Sequence, residues 1–364
     1  MKRFPGLRAP LLACAVLLAP VQPTFPASLY SWQNVTPQAA YAGRDGAGVV
    51  VYNNKAWLLG GWNSLTTVFP YTTTNEVWNS SDGHHWSLVK PNTFVPGVFN
   101  PGTQWEGRHM AGWVVFQNKM WIVGGDSNQC HYQPNVWTST DGVRWTKVAD
   151  NVPWGNRVLH YTVVFNNQIW VMGGQTLTLD TCPGYTGNET YFNDVWESSD
   201  GITWAKAPQI GPRWAPRGMI AGSVVFNGRI WILGGGEYGT DVAYNDVWSS
   251  PDGVHWEQVL ENAPWEPRVY HSVAVYGGRM WVVAGHQPNG GSNLAGVWSS
   301  ADGVHWERVP HTPWLARHAA SLFAINGGLW ITGGTTNEDG SQDDVWKLDS
   351  GVVAPLIDSL LFNK

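Results

Sequence analysis

From residue 48 onward the chain alternates short apolar runs with clusters of turn-forming residues. In one stretch Trp154-Gly155-Asn156-Arg157 leads into an apolar run that ends at Phe165, and Asn166-Asn167 turns the chain back into Ile169-Trp170-Val171-Met172 and Gly173-Gly174. A long polar loop follows, then Asn193-Asp194-Val195-Trp196 and Ser198-Ser199-Asp200-Gly201-Ile202-Thr203-Trp204. Runs this short, bounded by residues that tolerate reversed or left-handed backbone, predict four antiparallel strands. The same unit recurs six times at a spacing of roughly 50 to 60 residues, the period of a propeller array. The pattern therefore predicts an all-β, six-bladed propeller of four-stranded antiparallel blades.

Tryptophan positions test that register. Second strands carry Trp57, Trp121, Trp170, Trp231, Trp281 and Trp330, and third strands carry Trp78, Trp137, Trp196, Trp248, Trp298 and Trp346. Trp86, Trp145, Trp204, Trp256 and Trp306 fall in fourth strands, while Trp105, Trp154, Trp214, Trp265 and Trp314 each stand three residues before an Arg. After Trp346 no fourth-strand Trp remains. Trp32-Gln33-Asn34-Val35 has the spacing of Trp86-Ser87-Leu88-Val89, so the N-terminal strand is expected to close the last blade and remove its open edge.

Gly-Gly at the end of strand two, an Arg ahead of strand one and a Trp in strand four resemble the kelch repeat over roughly residues 30 to 350. That resemblance implies a first strand lining the central channel, a fourth strand outermost, and one shared face for the loops entering strand one and those leaving Gly-Gly. The overall build is similar to the exported bacterial N-acetylneuraminate epimerases, although none of their functional residues transfers by motif. Ala284-Gly285 and Ala295-Gly296 depart from the repeat in the fifth unit. Ser-x-Asp-Gly-x-x-Trp, at Asp82, Asp141, Asp200, Asp252 and Asp302, is similar to the Asp-box of other propellers and reads as a turn device. Galactose oxidases are also kelch-like. Cys130-His131-Tyr132 lacks the further ligands and the added domain that a copper radical site requires, and the Arg-Ile-Pro segment of sialidases is absent.

Composition narrows the partners. Only 13% of the 364 residues are charged and the net charge is −6, so a phosphate-neutralising grip on nucleic acid is not expected. Residues 1–27, with Lys2 and Arg3 before an apolar run from Leu11 to Val21, read as a cleaved signal peptide, too short to span a bilayer. The apolar run continues past Cys14, which disfavours a lipoprotein anchor there. This leaves a propeller over 28–350, a tail over 351–364 and a secreted or periplasmic location. Cys130 and Cys182, in loops of adjacent blades, are expected to form a disulfide there.

A residue shared by every blade is most simply a packing residue, and one that breaks the repeat in a loop needs another explanation. Arg44, Arg108, Arg157, Arg217, Arg268 and Arg317 recur in all six units. They are expected to brace the blades, against acids such as Asp194, Asp246 and Asp344, with one or two facing an anionic ligand at the channel mouth. His109 and His318 directly follow the Arg, and His160 and His271 lie three beyond it. After Gly-Gly the units diverge into Trp62, Asp126, Gln175, Gly236-Glu237, His286 and Thr335, and Trp113 interrupts an innermost strand. No short metal-ligand motif or cofactor fingerprint appears. The expected role is binding of a small anionic or carbohydrate ligand, or of a protein, without catalysis. The alternative is a sugar epimerase or mutarotase with a Glu or His as acid and base.

Overall fold

A computed structural model describes residues 30–63, 68–128, 131–176, 189–218, 222–237 and 240–349. Six four-stranded antiparallel sheets form the blades. Blade 1 is Gly48–Tyr52, Lys55–Leu59, Val77–Ser80 and Ser87–Lys90, and blades 2 to 5 repeat that order. Their innermost strands are Gly112–Phe116, Tyr161–Phe165, Ser223–Phe226 and Ser272–Tyr276. Second strands are buried along almost their whole length because a sheet covers each face, as the continuous Trp-rich runs require. The core consists of layers between blades: Tyr52, Trp57 and Leu59 of blade 1, for instance, pack with Met120, Ile122 and Trp137 of blade 2.

Blade 6 is Ser321–Ile325, Gly328–Thr332, Val345–Asp349 and, outermost, Ser31–Thr36. Trp32 faces Leu348 and Asn34 faces Trp346, with a bulge before Thr36. Trp32 also meets Trp314 edge-on at 4.6 Å. Equivalent edge-on pairs recur around the ring: Tyr41–Trp86, Trp105–Trp145, Trp154–Trp204, Trp214–Trp256 and Trp265–Trp306. Trp32 is thus the sixth fourth-strand Trp in contact as well as in spacing.

The Asp-Gly turns are structural in all five copies. In blade 4 Asp252 Oδ1 accepts the backbone N–H groups of Val254 and His255, and Ser250 Oγ accepts the N–H of Gly253. Desolvation raises the Asp252 carboxyl, but these bonds, with the His255 imidazole on Oδ2, together outweigh it and hold the group down to about 2. The glycine has a second cause besides its left-handed φ. A Cβ on Gly201 would lie 2.2 Å from the Trp121 ring of the preceding blade, and Gly83, Gly142, Gly253 and Gly303 meet Trp330, Trp57, Trp170 and Trp231 the same way.

The leader, the tail, Cys130 and Cys182 lie outside the described residues. Among the described residues no helix is long and apolar enough to cross a membrane.

Candidate functional site

The arginine ring forms a frame. Each guanidinium donates through Nη1 to the carbonyl of the first residue of the Gly-Gly pair in its own blade: Arg44 to Gly60, Arg108 to Gly124, Arg157 to Gly173, Arg217 to Gly234, Arg268 to Ala284 and Arg317 to Gly333, at 2.8–3.1 Å. Four also pair with a carboxylate two residues before the third-strand Trp, Arg44 with Glu76, Arg157 with Asp194, Arg217 with Asp246 and Arg317 with Asp344. The same acids accept the indole N–H of those Trp residues. Blade 2 substitutes Asn135, and Arg108, buried with less counter-charge, drops to about 10 through desolvation. Blade 5 has Ala295-Gly296 there, so Arg268 turns to Glu266 and the Trp298 N–H has no partner among the described residues. All six arginines are at most 4% exposed, as the bracing role expects, and none presents an open cation at the mouth.

Breaking such a buried pair from one side leaves an uncompensated charge, at about 3 to 5 kcal/mol. Arg317→Ala is therefore expected to lower the urea-unfolding free energy by about 3 kcal/mol, because Asp344 keeps some solvent. The free energy should be nearly unchanged if Arg317 were an open ligand contact.

Two residues after five of the arginines the backbone turns left-handed. Gly46, Met110, Leu159, Tyr270 and Ala319 have φ between 53° and 58°, costly for the four that carry a Cβ. Their amides link around the axis: Gly46 N donates to Ala319 O, Met110 N to Gly46 O, Leu159 N to Met110 O, and Ala319 N to Tyr270 O. Met110, Leu159 and Ala319 pack together with Val158 and Val269 on this face. Behind them lies a cavity of about 180 Å³ lined by first-strand residues including Trp113, Thr162, Ser223 and Ser272. Trp113 lies over Gly48 of blade 1, where a Cβ would come within 2.0 Å of its ring. His160 and His271 sit at the same depth, each bonded through Nε2 to a carbonyl of the preceding blade, Val123 and Leu233. Burial drives both imidazoles down to about 3, with Arg157 and Arg268 adding to the effect, so they are neutral braces of the channel wall.

The mouth is built from one register. The residue after each Arg bridges the residue after Gly-Gly: Asp45 with Trp62, His109 with Asp126, Val158 with Gln175, Gly218 with Gly236, Val269 with His286, and His318 with Thr335. Blades 5, 6, 1 and 2 are polar and aromatic at these positions, and blades 3 and 4 are nearly plain. Trp62 rests on the His109 ring at 4.8 Å, and His109 Nδ1 is 3.1 Å from Asp126 Oδ1. Asp126 is fully buried, which raises its carboxyl pKa, and His109 and Arg108 oppose that rise. Gln175 is also buried, and Glu237 accepts the Thr240 hydroxyl.

On the other side of Asp45, His286 Nδ1 and His318 Nδ1 reach the same Asn293 Oδ1 at 3.0 and 2.9 Å. Asn293 Nδ2 donates to Thr335 O, which fixes the amide's orientation and makes Oδ1 an acceptor. Both imidazoles therefore carry hydrogen on Nδ1 and keep Nε2 as the variable nitrogen. The Thr335 hydroxyl donates to Asp45 Oδ2, 3.9 Å from His318 Nε2, and Tyr270 flanks the His318 ring at 5.4 Å. Burial lowers the His318 pKa, with Asp45 opposing and His286 assisting. Asp45, Asn293 and Tyr270 were not among the expected site residues. Asp45 was detectable as the acidic member of the register that holds His109 and His318, whereas nothing local marks Asn293.

No family model and no curated protein matches the chain. Among solved structures it is similar to that of YjhT, with a TM-score of 0.63 and 14% identity over 85% of this chain and 96% of the other. At that identity the likeness shows the fold alone.

Proposed function

We propose that this protein is an exported binding module that holds a small carbohydrate, neutral or anionic, on the loop face of the central channel. The observation that carries the reading is the lopsided mouth: Trp62, His109 and Asp126 on one side of Asp45, His286 and His318 on the other, and near-plain blades 3 and 4 opposite. An indole face and neighbouring hydrogen-bonding side chains suit the apolar face and the hydroxyls of a sugar ring. The arginines hold the frame from beneath.

Calorimetric titration of the purified protein against sialic acid, uronic acids and neutral hexoses tests this. Trp62→Ala and His318→Ala are each expected to weaken the bound sugar by about tenfold or more, the effect of about 1.5 kcal/mol for one lost contact, with melting temperature preserved. Absence of binding by every sugar would overturn the reading and favour a protein on this face. A second reading, epimerase or mutarotase, is favoured by the His286–Asn293–His318 arrangement, which holds two imidazoles with Nε2 available to take and return protons. Anomer exchange accelerated above the buffer rate in proton NMR, and lost in His318→Ala, would support it.

A further inference from the structure

In three blades a cation covers the third-strand Trp. Lys147 faces Trp137, Lys206 faces Trp196 and Arg308 faces Trp298 across the third and fourth strands, with the charge 5.8–6.0 Å from each ring centre. The other three blades lack it, with Leu88 facing Trp78, Gln258 facing Trp248 and Asn34 facing Trp346. A groove of about 420 Å³ opens beside Gln258, a size within the roughly 300–1,000 Å³ of small-ligand sites.

Its floor holds no available positive charge. Arg217 gives Nη1 and Nη2 to Asp246 at 2.6 and 2.8 Å, and its guanidinium lies 3.7 Å from the Tyr244 ring centre. Arg217 thus covers one face of Tyr244, and the half-exposed ring lines the groove. The side chains of Gln258, Glu261 and Asn262 stand exposed along the rim, making no hydrogen bond or ion pair with any described residue. An aromatic floor, a free carboxylate and two free amides, without a cation, form an acceptor-rich site. The site suits a ring with an apolar face and hydroxyl or ammonium donors, and a carboxylate on that ring would meet the unpaired charge of Glu261.

We propose that this groove is a second saccharide site, separate from the mouth, for an amino sugar whose ring lies on Tyr244 and whose ammonium pairs with Glu261. The probe is the glucosamine trimer, titrated by calorimetry at pH 6 beside trigalacturonate. Wild-type protein should bind the glucosamine trimer and not trigalacturonate. Gln258→Lys restores the residue that blades 2 and 3 carry, so it should fold with an unchanged melting temperature and lose at least tenfold in affinity. Tyr244→Ala should lose a similar factor, whereas Trp62→Ala should leave this binding unchanged even if it abolishes binding at the mouth. The proposal is overturned if the wild type does not bind the trimer, if Gln258→Lys binds it as well as wild type, if trigalacturonate binds equally, or if Trp62→Ala removes the binding.

Discussion

Deleting residues 30–36 is expected to yield protein that is insoluble or melts far below the full chain. The deletion removes the whole outer strand of blade 6 and exposes the ladder of Val345–Asp349 as an open edge, a template for pairing with other chains. It also removes Trp32, 6% exposed and edge-on to Trp314, and Tyr30, edge-on to Trp281 of blade 5. Loss of one buried Trp alone costs about 3 to 5 kcal/mol, a large part of the 5 to 15 kcal/mol by which domains are stable. Trp32→Ala separates the two causes, since it keeps the strand and deletes the ring. It should melt several degrees lower yet remain soluble. A truncated chain with the melting temperature of the full one would show that blade 6 does not depend on this strand.

The ring was legible because each blade spends the same residues on the same contacts. Trp32 could be assigned from its spacing to Val35 because four other Trp residues have Val at the same spacing, and the edge-on pairs show why that neighbourhood recurs. Acids two residues before the third-strand Trp marked the arginine partners for the same reason. Repetition identifies an arginine's position along the strand but not the direction of its guanidinium. The Gly-Gly carbonyl that captures Nη1 is a backbone group, which residue types do not report. The mouth was legible only as a set of irregular positions after Gly-Gly. Asn293 joins His286 to His318 because a short hairpin, His286–Gln287 with Ser292–Asn293, returns it to the axis, and the glycines at 290 and 291 that permit the hairpin say nothing about what it delivers. Gln258 illustrates the converse case. The lack of a cation at position 258 is visible in the sequence, but it acquires meaning only beside the covered Trp residues of blades 2, 3 and 5.

Stability should fall steeply on mild acidification, well before the Asp-box carboxylates titrate. His160 and His271 are held at about 3 in the fold, against about 6.5 in the unfolded chain, so between those values the unfolded chain binds the extra protons. Stability is then fully present above pH 6.5 and declines as pH falls, by about 1.4 kcal/mol per unit for each histidine. Between pH 7.5 and 4.5 the two together should remove about 5 kcal/mol, enough to threaten the fold near the lower value. Depressed carboxylates such as Asp252, at about 2, weaken the fold only below about pH 4, so they leave this window clear. The equivalent positions in blades 1, 2 and 6 are Ala47, Ala111 and Ala320, so His160→Ala with His271→Ala is a substitution the repeat already accommodates. Urea midpoints of the wild type should drop through this range, and those of the double variant should stay nearly level from pH 7.5 to 4.5, even from a lower starting value. Parallel declines in the two proteins would mean that these imidazoles are not the groups whose protonation opposes folding.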